Sequence, residues 1–116
     1  MSLLDVATEV RLDATRHLAA LAGDASMCAI GRSGRSFPAA KYHEGRQAAS
    51  GQVRRLLRRG PSDTASAAAV LDDVTSEWRQ SLDDAASKGP DWVAYASGGL
   101  DALAELAEHV GRPSPH

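Results

Sequence analysis

The sequence predicts an all-α fold, a small antiparallel four-helix bundle with one long connection between its first and second helices. Three observations carry that expectation. The apolar residues are mostly alanine (22), leucine (12) and valine (7), with a single isoleucine and five aromatics, Phe37, Tyr42, Trp78, Trp92 and Tyr95. Alanine and leucine favour helix, whereas strands draw on β-branched and aromatic residues. Four stretches repeat apolar side chains at the three- and four-residue spacing of one helix face. Glycine and proline gather near the joints between those stretches, as at Gly60-Pro61 and Gly89-Pro90. At 116 residues the chain has the size of one domain, expected over residues 1–111, with a flexible polar tail at 112–116.

The first helix is expected from about Leu3 to Ala22. Ser2 is a good N-cap, Asp5 substitutes for the usual capping-box partner, and Gly23 is a natural stop. Leu3, Ala7, Val10, Ala14, His17 and Leu21 draw its buried stripe. Residues 23–37 then read as an irregular loop, a short helical turn or a small hairpin around Ser33-Gly34. The second helix should begin near Pro38, with Ser36 close to the cap, and end at Gly60. Tyr42, Gly45, Ala49, Val53 and Leu56 form its stripe. Gly45 lies on the stripe, where a close helix contact compensates for its low propensity; Gly51 lies off it and invites fraying or a kink.

The third helix is expected after Ser62 or Asp63 and up to Gly89-Pro90, burying Ala67, Leu71, Val74, Trp78, Leu82 and Ala85. The fourth should follow Asp91, with Trp92, Ala96, Gly99, Leu103, Leu106 and Val110 on one face and Gly98-Gly99 as a point of bending or division. No internal repeat is evident.

Net charge is −2, but it is sharply segregated. Residues 32–60 carry eight basic side chains against Glu44 alone, a balance of +7, while residues 61–116 carry −7. The densest basic run is VRRLLRRG, where Arg54 stacks over Arg58 and Arg55 over Arg59 at helical spacing while Leu56 and Leu57 turn inward. Four guanidiniums this close repel one another unless anions neutralise them. The partners would be Asp72, Asp73, Glu77, Asp83 and Asp84 of the third helix, another protein, or a phosphate backbone. A whole-chain pI near 6.0 weighs against a dedicated DNA binder.

Arg32, Ser33, Arg35 and Ser36 precede the second helix, where free N–H groups and the helix dipole favour an anion, and Lys41 and Arg46 add charge nearby. The GRSGRS run lacks the spacing and the Gly-Lys-Ser/Thr ending of a P-loop. Asp13 with His17 and Glu105 with His109 pair at four-residue spacing, and Glu9 and His43-Glu44 lie on the same helices. The glutamate-x-x-histidine pairs of bundle metal sites are missing, so no metal or other cofactor is expected. Cys28 is the sole cysteine, which excludes an intrachain disulfide and a cysteine-based zinc site and suits a reducing cytoplasm.

The N-terminus has acids in its first turns and no basic stretch followed by an apolar run, and no segment is apolar enough to span a membrane. Arginine outnumbers lysine 11 to 2, a usage associated with GC-rich bacterial genomes. Arg11 and His17, with five residues between them, resemble the arginine–histidine motif of HEPN-type ribonucleases, which are helical bundles. That family carries the motif on a later helix, and the resemblance would imply a ribonuclease assembled from two copies.

These features lead to an expected function in binding rather than catalysis. The chain reads as a small cytoplasmic helical protein that associates with another helical protein or with itself, as a homodimer or larger homo-oligomer. Arg32, Ser33, Arg35, Ser36, Lys41, Arg46, Arg54, Arg55, Arg58 and Arg59 form its candidate anion- or partner-binding set. Exposed Trp92 or Tyr95 would anchor a partner. The alternative is a nucleic-acid-binding regulator using residues 32–59, and the third reading is a metal-dependent or HEPN-like ribonuclease.

Overall fold

The computed structural model describes residues 2–23, 38–60 and 64–111. They form four helices: α1 (Leu3–Gly23), α2 (Pro38–Arg59), α3 (Thr64–Ala85) and α4 (Pro90–Gly111). Among the described residues there is no strand, and no helix is long and apolar enough to cross a membrane. The all-α expectation and the four helices stand as read from the sequence. Residues 24–37, with Cys28 and the Ser33-Gly34 turn, and the tail 112–116 lie outside the described residues.

Local chemistry accounts for most helix ends. The Ser2 hydroxyl accepts from the Asp5 N–H at 3.1 Å, and the Asp5 carboxylate accepts from the Ser2 N–H at 3.4 Å, closing the capping box. Pro38 opens α2 at a position that needs no N–H donor, and Arg58 and Arg59 sit in its last turn, against the negative end of the helix dipole. α3 ends at Ala85, earlier than the sequence suggested. There the Ala85 carbonyl accepts from the N–H groups of Lys88 and Gly89, and Gly89 turns the chain at φ 119°, a conformation only glycine adopts freely. Pro90 then starts α4, two residues earlier than the expected start after Asp91.

The core joins all four helices. Leu3, Ala7 and Val10 of α1 meet Ala49 and Val53 of α2, Leu71, Val74 and Trp78 of α3, and Ala102, Leu103 and Leu106 of α4. Val53, Leu103 and Leu106 are fully buried, and each such side chain stabilises the fold by roughly 1.5–3 kcal/mol relative to exposure. Trp78 donates from Nε1 to Gln52 Oε1 at 3.0 Å, which satisfies its polar edge and ties α3 to α2.

The broadest packing is between α2 and α4, with α1 on the outer side of α2 and α3 on the outer side of α4. Thr8 with Arg54, Thr15 with Gln47 and His17 with His43 set α1 antiparallel to α2. Tyr42 with Asp101 and Arg46 with Glu105 advance together, so α2 and α4 run parallel. α4 is one continuous helix through Gly98-Gly99, which corrects the expected division. The glycines serve the crossing instead: a Cβ on Gly98 would strike the Tyr42 carbonyl, and one on Gly99 the Trp78 ring.

Three stripe residues depart from the sequence reading. His17 has a side chain 53% exposed, Leu56 is 38% exposed, and Trp92 is 56% exposed. Leu56 lies in the last turn of α2 and Trp92 in the first turn of α4, toward helix ends, whereas His17 stacks on His43 and leaves its other face to solvent. Gly51 does not fray α2; it is buried beneath a side chain from α1.

Candidate functional site

Beside the apolar core, the seam between α1 and α2 carries polar side chains whose character changes along its length. At one end the Arg11 stem crosses α2 at Gly51: a Cβ there would meet Arg11 Cδ and Nε at 3.6 Å and Arg55 Nη1 at 3.5 Å. The guanidiniums of Arg11 and Arg55 therefore converge over one point of bare backbone. Arg54 donates from Nε to the Thr8 hydroxyl at 3.2 Å. The positive charge of Arg58, then desolvation and the charge of Arg11, hold Arg54 below its ordinary pKa. It remains a cation, but one repelled from both sides.

Among the described residues, Arg11, Arg54, Arg55, Arg58 and Arg59 form no ion pair. The pairing with α3 that the sequence allowed is not made. Glu77 instead accepts from Gln52 Nε2 at 2.9 Å, and Asp72, Asp73, Asp83 and Asp84 are exposed. Leu56, expected to turn inward, is the exposed apolar residue within this basic run.

The other candidate cations have different settings. Lys41 pairs with Glu44 at 3.1 Å on the surface of α2. Arg46 is only 7% exposed and is held by Glu105, Nη1 to Oε1 at 2.9 Å and Nη2 to Oε2 at 3.3 Å, with Asp13 Oδ2 at 3.5 Å from Nη2. Burial works against its charge, but the hydrogen bonds and charge of Glu105, with Tyr42 and Asp13, outweigh that and raise its pKa. Arg46 is a clamp between α1, α2 and α4, its charge already answered by carboxylates. Arg32, Ser33, Arg35 and Ser36 lie outside the described residues.

Around the clamp sits a second polar group. Tyr42 donates to Asp101 Oδ2 at 2.5 Å; its own desolvation, then that hydrogen bond, raise its pKa. His17 and His43 stack with ring centroids 4.6 Å apart and planes 10° from parallel. His17 Nδ1 donates to the Asp13 carbonyl at 2.8 Å, whereas His43 Nδ1 is buried with no hydrogen-bond partner. Desolvation, then the charges of His17 and Arg46, lower the His43 pKa.

The Arg11–His17 pair does not converge within this chain. Arg11 meets α2 at Gly51 and His17 meets it at His43, rungs separated by about 12 Å of helix axis. Among the described residues no three histidine, aspartate or glutamate side chains are grouped to hold a metal ion.

At the start of α4, Trp92 and Tyr95 border an open cleft of about 440 Å³ with Lys41 and Asp91, and a smaller one of about 140 Å³ with Asp84 and Lys88. The Lys88 ammonium lies 5.8 Å from the Trp92 ring centroid.

Comparison with known protein families, with curated proteins and with solved structures gives no match.

Sequence reasoning found the arginine run but not Arg11 as its neighbour across the seam. The available signal was Gly51, a glycine off the apolar stripe, which marked a place where another chain segment lies close. The Arg46 clamp also had a signal. Tyr42 and Arg46 on α2 have the same four-residue spacing as Asp101 and Glu105 on α4, a donor pair and an acceptor pair in matching register.

Proposed function

We propose that the chain is a non-enzymatic protein-association module that docks an acidic helical surface, its own or another protein's, on the arginine-rich end of α2. The observation that supports this reading most directly is that Arg11, Arg54, Arg55, Arg58 and Arg59 have no carboxylate partner among the described residues, although α3 carries several exposed acids. Guanidiniums that repel one another gain from any surface that brings negative charge between them, and such complementarity speeds and orients encounter. The acidic face of α3, equally unpaired at Asp72 and Asp73, is a docking face of the opposite sign, which makes self-association one form of the same function. Exposed Leu56 supplies an apolar contact within the basic run.

The test is sedimentation velocity of the chain, together with binding of a labelled glutamate-rich helical peptide, at 20 and 300 mM salt. Salt-sensitive self-association or peptide binding that is lost in the triple variant Arg55→Glu, Arg58→Glu, Arg59→Glu is the expected result. Failure of both assays at low salt overturns the reading. Preferential binding of a DNA or RNA duplex in competition with the peptide moves the function to nucleic-acid regulation.

A further inference from the structure

We propose that Arg11, Arg54, Arg55 and Arg58 form a cradle for a phosphate monoester, presented by the acidic partner as a phosphorylated side chain. The inference rests on the association reading above and names the chemistry of the contact.

Three features favour phosphate over carboxylate. The cluster draws on two helices and converges: Arg11 Nε and Arg55 Nη1 lie within 3.6 Å of the same point above Gly51, where the absence of a side chain lets the Arg11 stem lie across α2 and brings its guanidinium beside that of Arg55. Each guanidinium brings five N–H donors in a planar fork. Among the described residues the side-chain donors of Arg11, Arg55 and Arg58 have no protein acceptor, and those of Arg54 have only Thr8. A phosphate monoester offers three strong acceptor oxygens and a charge of about −1.5 to −2, against −1 and two oxygens for a carboxylate. It therefore answers several forks at once and relieves the repulsion that Arg58 and Arg11 impose on Arg54.

The surroundings favour an isolated phosphate over a nucleic-acid tract. Residues 54–58 span only about 6 Å of helix axis, the molecule has net charge −2, and residues 61–116 carry −7.

The experiment measures binding of inorganic phosphate, then of one labelled acidic peptide carrying phosphoserine, glutamate or serine at its centre, at fixed ionic strength. We expect the phosphoserine peptide to bind at least tenfold more tightly than the glutamate peptide, and inorganic phosphate to compete where acetate does not. Arg11→Gln and Arg58→Gln should each reduce the phosphoserine advantage several-fold, and Arg79→Gln on α3 should leave it unchanged. Thermal melts establish that each variant is folded; Arg58 is exposed, so Arg58→Gln carries the test even where Arg11→Gln disturbs the seam. Equal affinity for the phosphoserine and glutamate peptides overturns the phosphate cradle and leaves the association reading intact. Loss of binding to all three peptides overturns both. A DNA duplex that displaces the phosphoserine peptide at 150 mM salt overturns a phosphorylated side chain as the occupant.

Discussion

Gly45 of α2 faces the Tyr95 carbonyl of α4 so closely that a Cβ on Gly45 would overlap it, and Gly98 of α4 meets the Tyr42 carbonyl of α2 in the same way. Backbone therefore lies on backbone where the two central helices cross. The four-residue pairs Tyr42–Asp101 and Arg46–Glu105 close beside that crossing, so the glycines set the distance at which the polar clamp can form.

Gly45→Ala and Gly98→Ala should each destabilise the fold by about 2–3 kcal/mol. The added methyl meets a carbonyl rather than a flexible side-chain tip, so the helices must separate, and that cost exceeds the roughly 1 kcal/mol alanine gains in helix propensity. Urea denaturation followed by circular dichroism reads the change. A variant as stable as the parent would mean that the crossing is looser than described.

Gly51→Ala should have the opposite sign. Its Cβ would find Arg11 and Arg55 atoms no nearer than 3.5 Å, an ordinary contact. The helix-propensity gain should then appear nearly in full, about 0.5–1 kcal/mol of added stability in the same denaturation experiment. Clear destabilisation would show that Arg11 requires the bare backbone.

Glu105→Gln should cost about 1–2 kcal/mol, because Arg46 is buried and loses its principal counter-charge while Glu105 itself is half exposed. Asp13→Asn should cost less, since Asp13 meets Arg46 only at 3.5 Å and stands at the solvent edge. A double-mutant cycle between Arg46 and Glu105 measures the coupling, and a value near zero would remove the clamp from the account of the fold.

The helices were legible in the sequence because their cause is local. Val10 and Ala14, Leu71, Val74 and Trp78, and Leu103 and Leu106 repeat at helical spacing and are buried as that spacing requires. Leu56 and Trp92 share the same periodicity and failed, because periodicity names a face without saying where the covering helix stops. The arginines of α2 were legible as a charge block, but whether acids answered them depended on the register between helices. The register gives α3's Glu77 to Gln52 and α4's Glu105 to Arg46. It leaves Arg54 and Arg55 beside Arg11, a relationship no spacing within a single helix contains.

Stability should depend on pH through His43. Its Nδ1 is buried without a partner, and it faces His17 and Asp13 of α1 and lies near Arg46 of its own helix. Desolvation, then the electrostatic effects of His17 and Arg46, lower its pKa from the ordinary 6.5, with Asp13 the only one of these groups pulling the other way. The unfolded chain thus binds a proton more readily than the folded one, and stability rises with pH across this window. The contribution is complete above the unfolded pKa near 6.5 and is lost as pH falls from there toward the lower folded value. Urea midpoints from pH 8 to pH 5 should therefore decline below about pH 6.5. His43→Phe, which keeps an aromatic ring against His17, should flatten that decline. If parent and variant lose stability in parallel between pH 7 and pH 5.5, the proton responsible is not on His43.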